Sequence, residues 1–372
     1  MKVAFDNQIF SWQSFGGVSR YFSTLARELS AEQQDVKIYA GFHCNQYLSS
    51  LPQGLVSGVR LNRYPAHTNK FFRLLNNITS TYQVNRWQPD IVHETYYAPG
   101  QLVKNSARIV STVHDMNYEL YPAMFSKKDL TSLRKRNALH RADQIISVSH
   151  NTKSDLIELF GIDDDKVTVV HHGVDFDFFH TLSSLKMSRE RPYLLYVGRR
   201  EAYKNFSKAL QALASSHRLK SDFDLVAFGG GKFNLEEQSL ISSLGFSEAQ
   251  ISQVDGDDKM LGSLYHQAKA FLYPSIYEGF GMPPLEAMAS SCPVISSDTS
   301  SMPEVIGRAG QFFDPTDLDS FIQAIEDVVY SDSRTHELRS LGLERAESFS
   351  WSVCASKTIK VYNKALDRSN FE

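Results

Sequence analysis

Short apolar, β-branched runs alternate along this chain with longer amphipathic stretches, the rhythm of parallel strands covered by helices. In the first half the pattern predicts strands at Val3–Phe5, Val36–Ala40, Ile91–His93, Ile109–Val113, Gln144–Val148 and Val167–Val170, with helices over Val18–Leu29 and Lys127–Arg141. A polar stretch, Thr181–Arg191, holds Ser183, Ser184 and Ser188, ends at Pro192 and reads as a linker. A second series follows, with strands at Tyr193–Val197, Leu225–Phe228, Phe271–Tyr273 and Val294–Ser296. Its helices fall near Asn205–Ala214, Asp257–Lys269, Pro283–Ser290, Leu318–Tyr330 and Arg334–Phe349. The expected class is therefore α/β: two doubly wound, Rossmann-like domains, 1–180 and 193–349, joined by residues 181–192. Such sheets bind ligands beyond the carboxyl ends of their strands, so a cleft between the two domains is the expected site.

Composition narrows this picture. The 372 residues are 42% hydrophobic, enough for two or three cores. A formal net charge of −3 excludes a dedicated nucleic-acid binder, whose footprint is strongly basic. The average hides a split: residues 1–141 carry 17 Lys+Arg and 9 Asp+Glu, leaving 22 and 33 for the rest. Cys44, Cys292 and Cys354 are scattered and fit neither a disulfide framework nor a zinc site, so a reducing cytoplasm is the expected home. MKVAFDNQIF lacks the apolar stretch of a signal peptide, and no run of 18 apolar residues occurs. Without a secretion signal, the acceptor patterns at Asn77-Ile78-Thr79 and Asn205-Phe206-Ser207 read as accidents.

The strongest chemical motif is Glu278-Gly-Phe-Gly-Met-Pro-Pro-Leu-Glu286, just after a predicted strand. Gly279 and Gly281 permit close backbone approach, and Pro283 and Pro284 suit a first helical turn. The amides of that turn can bind hydroxyl or phosphate oxygens, and the two glutamates can serve different ends of one long ligand. Taken alone, the motif also describes an ordinary helix start with an acidic residue.

EGFGMPPLEAMAS resembles the Glu-x7-Glu signature of the retaining glycosyltransferases of family 4. The resemblance continues in Phe15-Gly16-Gly17-Val18, Val113-His114-Asp115, His172-Gly173-Val174-Asp175, Val197-Gly198-Arg199 with Lys204-Asn205, Met302-Pro303-Glu304-Val305, Ala309-Gly310, Asp314-Pro315 and Phe349-Ser350-Trp351, in the family's order. It implies the GT-B fold, two Rossmann-like domains facing across a cleft: an acceptor-binding domain at 1–180, a nucleotide-sugar-binding domain at 193–349, and a terminal helix, 350–372, crossing back to the first. It implies that Arg199 and Lys204 grip the donor's diphosphate and that Glu286 bonds the ribose. Glu278 and the amides of Phe280, Gly281 and Met282 would hold the transferred sugar. Gly16 and Gly17 would lie against the phosphates, and His114 would touch the sugar near the reacting centre. Arg200 is expected to be a solvated turn residue, and His171 and His172 hinge structure. His93, Glu94 and Tyr96, at the end of a predicted strand, are candidates for the acceptor.

No metal or other cofactor is expected. Asp175-Phe176-Asp177 and Asp222-Phe223-Asp224 spell a metal-chelating DxD, but one lies in the linker motif and the other opens a strand. Gly229-Gly230-Gly231-Lys232 lacks the spacing and the following Ser or Thr of a phosphate loop. The implied reaction is transfer of a hexose, with retention, from a nucleoside-diphosphate sugar to a glycan or polyprenyl-linked oligosaccharide. The opening FDNQIFSWQSFGGVSRYF looks like bacterial O-antigen and capsule mannosyltransferases, which tilts the donor toward GDP-mannose over a UDP-sugar. Val254-Asp255-Gly256-Asp257 replaces the Gly-x-Val turn that contacts the base in many members, leaving the base open. A GT-B isomerase and a non-catalytic sugar-nucleotide sensor are the alternatives. The basic stretch Lys127–Arg141, with Leu130, Leu133 and Leu139, reads either as a solvated face or as a contact with anionic lipid at the inner face of the membrane.

Overall fold

The computed structural model describes residues 1–98, 100, 106–181, 191–200 and 202–367. It divides into two compact units, Met1–Gly173 with the chain from Trp351 onward, and Val174–Ser350. The division falls at Gly173/Val174, upstream of the expected linker. Phe176–Thr181 is a helix of the second unit, its Phe179 edge-on to Tyr265 at 6.4 Å. Residues 182–190 of that linker lie outside the described residues.

The first unit is built on seven parallel strands, β1 (Lys2–Phe5), β2 (Asp35–His43), β3 (Val56–Arg60), β4 (Ile91–Glu94), β5 (Arg108–Val113), β6 (Gln144–Ser147) and β7 (Val167–Val169), in the order β3-β2-β1-β4-β5-β6-β7. The central β4 and β6 are buried at every position, as strands covered on both faces must be. The second unit has six, β8 (Tyr193–Val197), β9 (Asp224–Phe228), β10 (Ile251–Val254), β11 (Ala270–Tyr273), β12 (Val294–Ser297) and β13 (Gly310–Phe313), in the order β10-β9-β8-β11-β12-β13. Its core joins Leu194, Leu225, Leu272 and Ile295 from the strands to Leu210, Leu213, Phe321 and Ile325 from the helices. Both sheets are parallel and doubly wound, the expected class.

In each sheet the strand order reverses at one place, between β1 and β4 and between β8 and β11. Loops leaving such neighbours diverge to opposite faces and open a crevice at their carboxyl ends. Among the described residues, no helix is long and apolar enough to cross a membrane.

Candidate functional site

In the second unit the reversal point gathers the predicted chemistry. Arg199 and Lys204 follow β8, and Glu278 follows β11. The Lys204 ammonium and the Glu278 carboxylate are paired, each largely shielded from water. Lys204 also lies 5.8 Å from the Tyr273 ring centre, and burial, reinforced by Glu278, raises the Tyr273 hydroxyl's pKa well above its ordinary value. The Arg199 side chain is exposed, and its carbonyl accepts from the Tyr196 hydroxyl at 2.9 Å.

Gly281, at φ 105°, is the N-cap of the helix Met282–Ala289, with Pro283 and Pro284 in its first turn. Pro283 and Pro284 carry no N–H, so the donors this helix start can offer are the amides of Gly281 and Met282. The positive φ of Gly281 is what favours glycine; a Cβ there would also press on the end of the Met302 side chain, 2.7 Å away at Cε. Glu286 is 4% exposed and accepts from the Tyr265 hydroxyl at 3.5 Å. Phe280 is buried, edge-on to Phe349 at 5.9 Å.

Sequence reasoning missed what holds this loop. Ser297 Oγ donates to the Ser275 carbonyl at 2.6 Å, Thr299 Oγ1 to that of Ile276 at 2.8 Å, and Ser301 Oγ to those of Glu278 and Phe280 at 2.8 and 2.9 Å. Ser300 Oγ accepts from the Glu278 amide at 3.0 Å. Hydroxyls at and just after the end of β12 thus occupy the loop's carbonyls and fix its course. The signal was the Ser-Ser-Asp-Thr-Ser-Ser run at 296–301.

Arg200 corrects an expectation, because it is not a solvated turn residue. Its guanidinium is shielded from water, pairs with Glu237 at 2.6 Å and donates to the carbonyls of Gly229 and Gly231, each at 2.8 Å. Phe233 lies 4.9 Å from it. Gly229, Gly230 and Gly231, all at φ between 72° and 78°, turn carbonyls toward a cation, whereas a phosphate loop turns amides toward an anion. Asp222 accepts from the Tyr330 hydroxyl at 2.9 Å, and Asp224 faces Arg191 at 3.4 Å.

In the first unit, Gly16 caps the helix Gly17–Ala31, and Gln13 Oε1 already accepts from the Ser19 amide there at 3.1 Å. His114 follows β5 among aromatic rings, edge-on to Tyr21 at 5.1 Å and to Phe22 at 5.7 Å. Burial brings its pKa down to about 4, and Nε2 has no hydrogen-bond partner among the described residues. His172 stacks on Tyr21 at 4.6 Å and is buried.

His93 and Glu94, the acceptor candidates, are buried and bonded inside the first unit. His93 is fully buried, with Nδ1 bonded to the Tyr362 hydroxyl at 2.7 Å and Nε2 to Thr112 Oγ1 at 2.8 Å, and burial lowers its pKa to about 3. Glu94 is 2% exposed and binds Arg141 through both oxygens at 2.8 and 2.9 Å, while burial pushes its carboxyl up to about 7. Alternation along a strand places side chains inside the sheet's cover, and β4 is central. Only Tyr96 opens on free space. It lines a cavity of about 470 Å³ with Asn7, Trp12, Lys70, Arg73 and Arg134. The cavity lies at the β1/β4 reversal, where buried Asp6 ties the two loops by accepting from the Gln8 side chain at 2.7 Å and the Thr95 amide at 3.1 Å. Asn7, 1% exposed, holds an Oδ1 with no partner among the described residues, and the Arg73 guanidinium lies 4.0 Å over the Trp12 ring.

The basic stretch also departs from expectation. Its helix is Thr131–Arg141, and Lys135 is buried, bonded to Glu119 at 2.7 Å and the Asp115 carbonyl at 2.9 Å. Arg141 is turned inward to Glu94, and Arg136 donates to the Leu159 carbonyl at 3.3 Å. Lys135 and Arg141 are thus committed to buried carboxylates, while Lys127, Lys128 and Arg136 remain exposed.

Comparison with known proteins completes the description. Residues 15–178 match the profile of Glycosyltransferase Family 4, and residues 182–344 that of Glycosyl transferases group 1. The chain is 28% identical to an O-antigen chain mannosyltransferase B of Escherichia coli, over 97% of this chain and 99% of the relative. It is 27% identical to an MMP α-(1→4)-mannosyltransferase of Mycolicibacterium hassiacum, over 95% and 96%. Among solved structures, the sucrose-phosphate synthase of Thermosynechococcus elongatus superposes with a TM-score of 0.80 at 19% identity, covering 98% of both chains. WaaG, a glycosyltransferase involved in lipopolysaccharide biosynthesis, superposes at 0.74 and 16% identity, covering 97% and 99%. These two likenesses are of fold alone.

Proposed function

The chain belongs to glycosyltransferase family 4, a family of nucleotide-sugar-dependent enzymes with the GT-B fold, and from that premise we propose that it transfers mannose from GDP-mannose, with retention and without a metal, to a glycan or lipid-linked oligosaccharide in surface-polysaccharide assembly. The observation that carries the reading is the Lys204–Glu278 pair at the β8/β11 reversal, beside the amides of Gly281 and Met282. The names of the two curated relatives favour mannose.

Each residue then has a task. In the free protein Lys204 and Glu278 neutralise each other. A donor offers each a better partner: the diphosphate takes Lys204 together with Arg199, and the sugar hydroxyls take Glu278 and the amides of Phe280, Gly281 and Met282. Glu286 receives the ribose. Gly16 and Gly17 lie against the phosphates once the Gln13 side chain, which now covers this helix start, gives way. His114, kept neutral by burial, offers Nε2 to the donor sugar. The acceptor occupies the cavity lined by Tyr96, Asn7 and Arg73.

Negative charge grows on the departing diphosphate, and preorganised cations and amides lower that barrier most effectively. A double displacement needs a carboxylate against the anomeric carbon, and the family resemblance assigns Glu278 to sugar hydroxyls instead. The reaction is therefore a same-face substitution: the bond from C1 to the phosphate oxygen breaks, the bond from C1 to the acceptor oxygen forms, and the acceptor proton passes to the leaving phosphate.

Incubation with a panel of GDP- and UDP-sugars, in the presence of a chelator, tests this. Slow release of GDP from GDP-mannose is expected. Release confined to a UDP-sugar overturns the donor assignment, an epimerised donor makes the protein an isomerase, and binding without turnover makes it a sensor.

A further inference from the structure

We infer that the helix Asn69–Trp87 docks the first unit onto an anionic lipid bilayer. This helix carries a second apolar row on its outward face, besides Phe72, Val84 and Trp87 that pack inward. Phe71, Leu74, Ile78 and Tyr82 are 61%, 61%, 60% and 65% exposed, whereas its buried residues are Asn76, Ser80 and Val84. At 100° per residue the four large side chains share an arc of about 80°, and the buried three occupy the opposite side. The inner face is committed: Asn76 bonds the Phe42 amide and carbonyl, each at 2.8 Å, and Ser11 at 3.0 Å, which fixes the helix on β2. A row of exposed Phe, Leu, Ile and Tyr is unfavourable in water and calls for a second apolar phase.

Charge identifies that phase. Between Asp35 and Asp90 there is no acidic residue, while Lys37, Arg60, Arg63, Lys70, Arg73 and Arg86 are present. Lys70 and Arg86 are exposed and lie on opposite edges of the apolar row. An apolar stripe edged by cations is the form of a helix lying in a headgroup layer, where the stems of Lys and Arg bring their charges to lipid phosphates. Pairing with a second copy would set these cations against one another with no acid on the segment to offset them. The expected lipid contact at Lys127–Arg141 is thereby replaced by one 50 to 60 residues upstream. Lys70, Arg73 and Leu74 also line the Tyr96 cavity, so a docked helix sets its mouth beside the headgroups, which suits a lipid-linked acceptor. That last step rests on the proposed function; the docking does not.

The test is sedimentation of the 372-residue protein with vesicles of phosphatidylcholine alone or mixed with phosphatidylglycerol, with no nucleotide sugar present. Partition onto the mixed vesicles should fall about tenfold for Lys70→Glu/Arg86→Glu and at least as much for Ile78→Glu, with Phe71→Ser as a milder variant. Lys127→Glu/Lys128→Glu should bind like wild type. All these positions are exposed, and unchanged thermal melts verify the folds. The inference is overturned if wild type does not bind, if binding survives both stripe variants, or if it is lost with Lys127 and Lys128. It is also overturned if wild type is a dimer that Ile78→Glu splits and no vesicle binding is seen. Because transfer is not measured, this result and the donor panel can fail independently.

Discussion

Lys204 and Glu278 are each other's partner until a donor separates them, so their substitutions should differ in kind. Lys204→Met removes the cation that faces the growing diphosphate charge, and kcat/KM for the donor should drop about a hundredfold or more. Glu278→Gln should lower kcat by a similar factor, and intact-protein mass spectrometry should find no glycosyl adduct in it; an adduct on wild-type Glu278 would establish a double displacement instead. Acid sensitivity also begins at single residues. His93 and His114 are held near pKa 3 and 4 by burial, against an ordinary value near 6.5. Below pH 6.5 the unfolded chain takes up these protons and the fold does not, so stability present at neutral pH is lost on acidification, by about 2 kcal/mol per histidine at pH 5. Urea midpoints measured from pH 7 to pH 5 should fall, and a His93→Gln variant should flatten the slope. Gln keeps one donor and one acceptor for Tyr362 and Thr112.

At the scale of elements, the helix Thr131–Arg141 shows how a charge-rich sequence can mislead. Its side-chain types are those of a solvated face, yet Lys135 and Arg141 complete buried carboxylates. Lys135→Ala would strand Glu119 in the interior and should cost about 3–5 kcal/mol in chemical denaturation, while the double replacement Lys135→Met/Glu119→Gln should recover most of it. The helix Asn69–Trp87 escaped prediction because its apolar spacing is interrupted by Asn, Ser and Thr, poor helix formers, and its apolar row faces away from the core. Three edge strands escaped for a related reason: β3, β10 and β13 are partly exposed and lack a continuous apolar run, whereas the edge strand β7 and the interior strands were found to within about three residues.

On the scale of the whole molecule, the chain completes its first unit with its last helix. Trp351–Leu366 returns from the second unit, and its Tyr362 bonds His93 while Trp351 lies 6.0 Å from Tyr21. Truncation after Ser350 should therefore weaken the first unit selectively. Hydrogen exchange should quicken across β4 and the helix Gly17–Ala31, with β8 and β11 remaining protected.

Strand rhythm and the spacing of Gly and Glu around 278–286 were sufficient, from sequence, for two doubly wound sheets and for the family, because periodicity and turn chemistry are local properties. Which polar groups remain available is not local. Folding placed His93 and Glu94 at the centre of a sheet and spent them on Tyr362 and Arg141, turned Arg200 onto three glycine carbonyls, joined Lys204 to Glu278 across 74 residues, and left Phe71, Leu74, Ile78 and Tyr82 in water. Burial and partner choice arise only when distant segments meet, and they decide which chemically able residues are free to act.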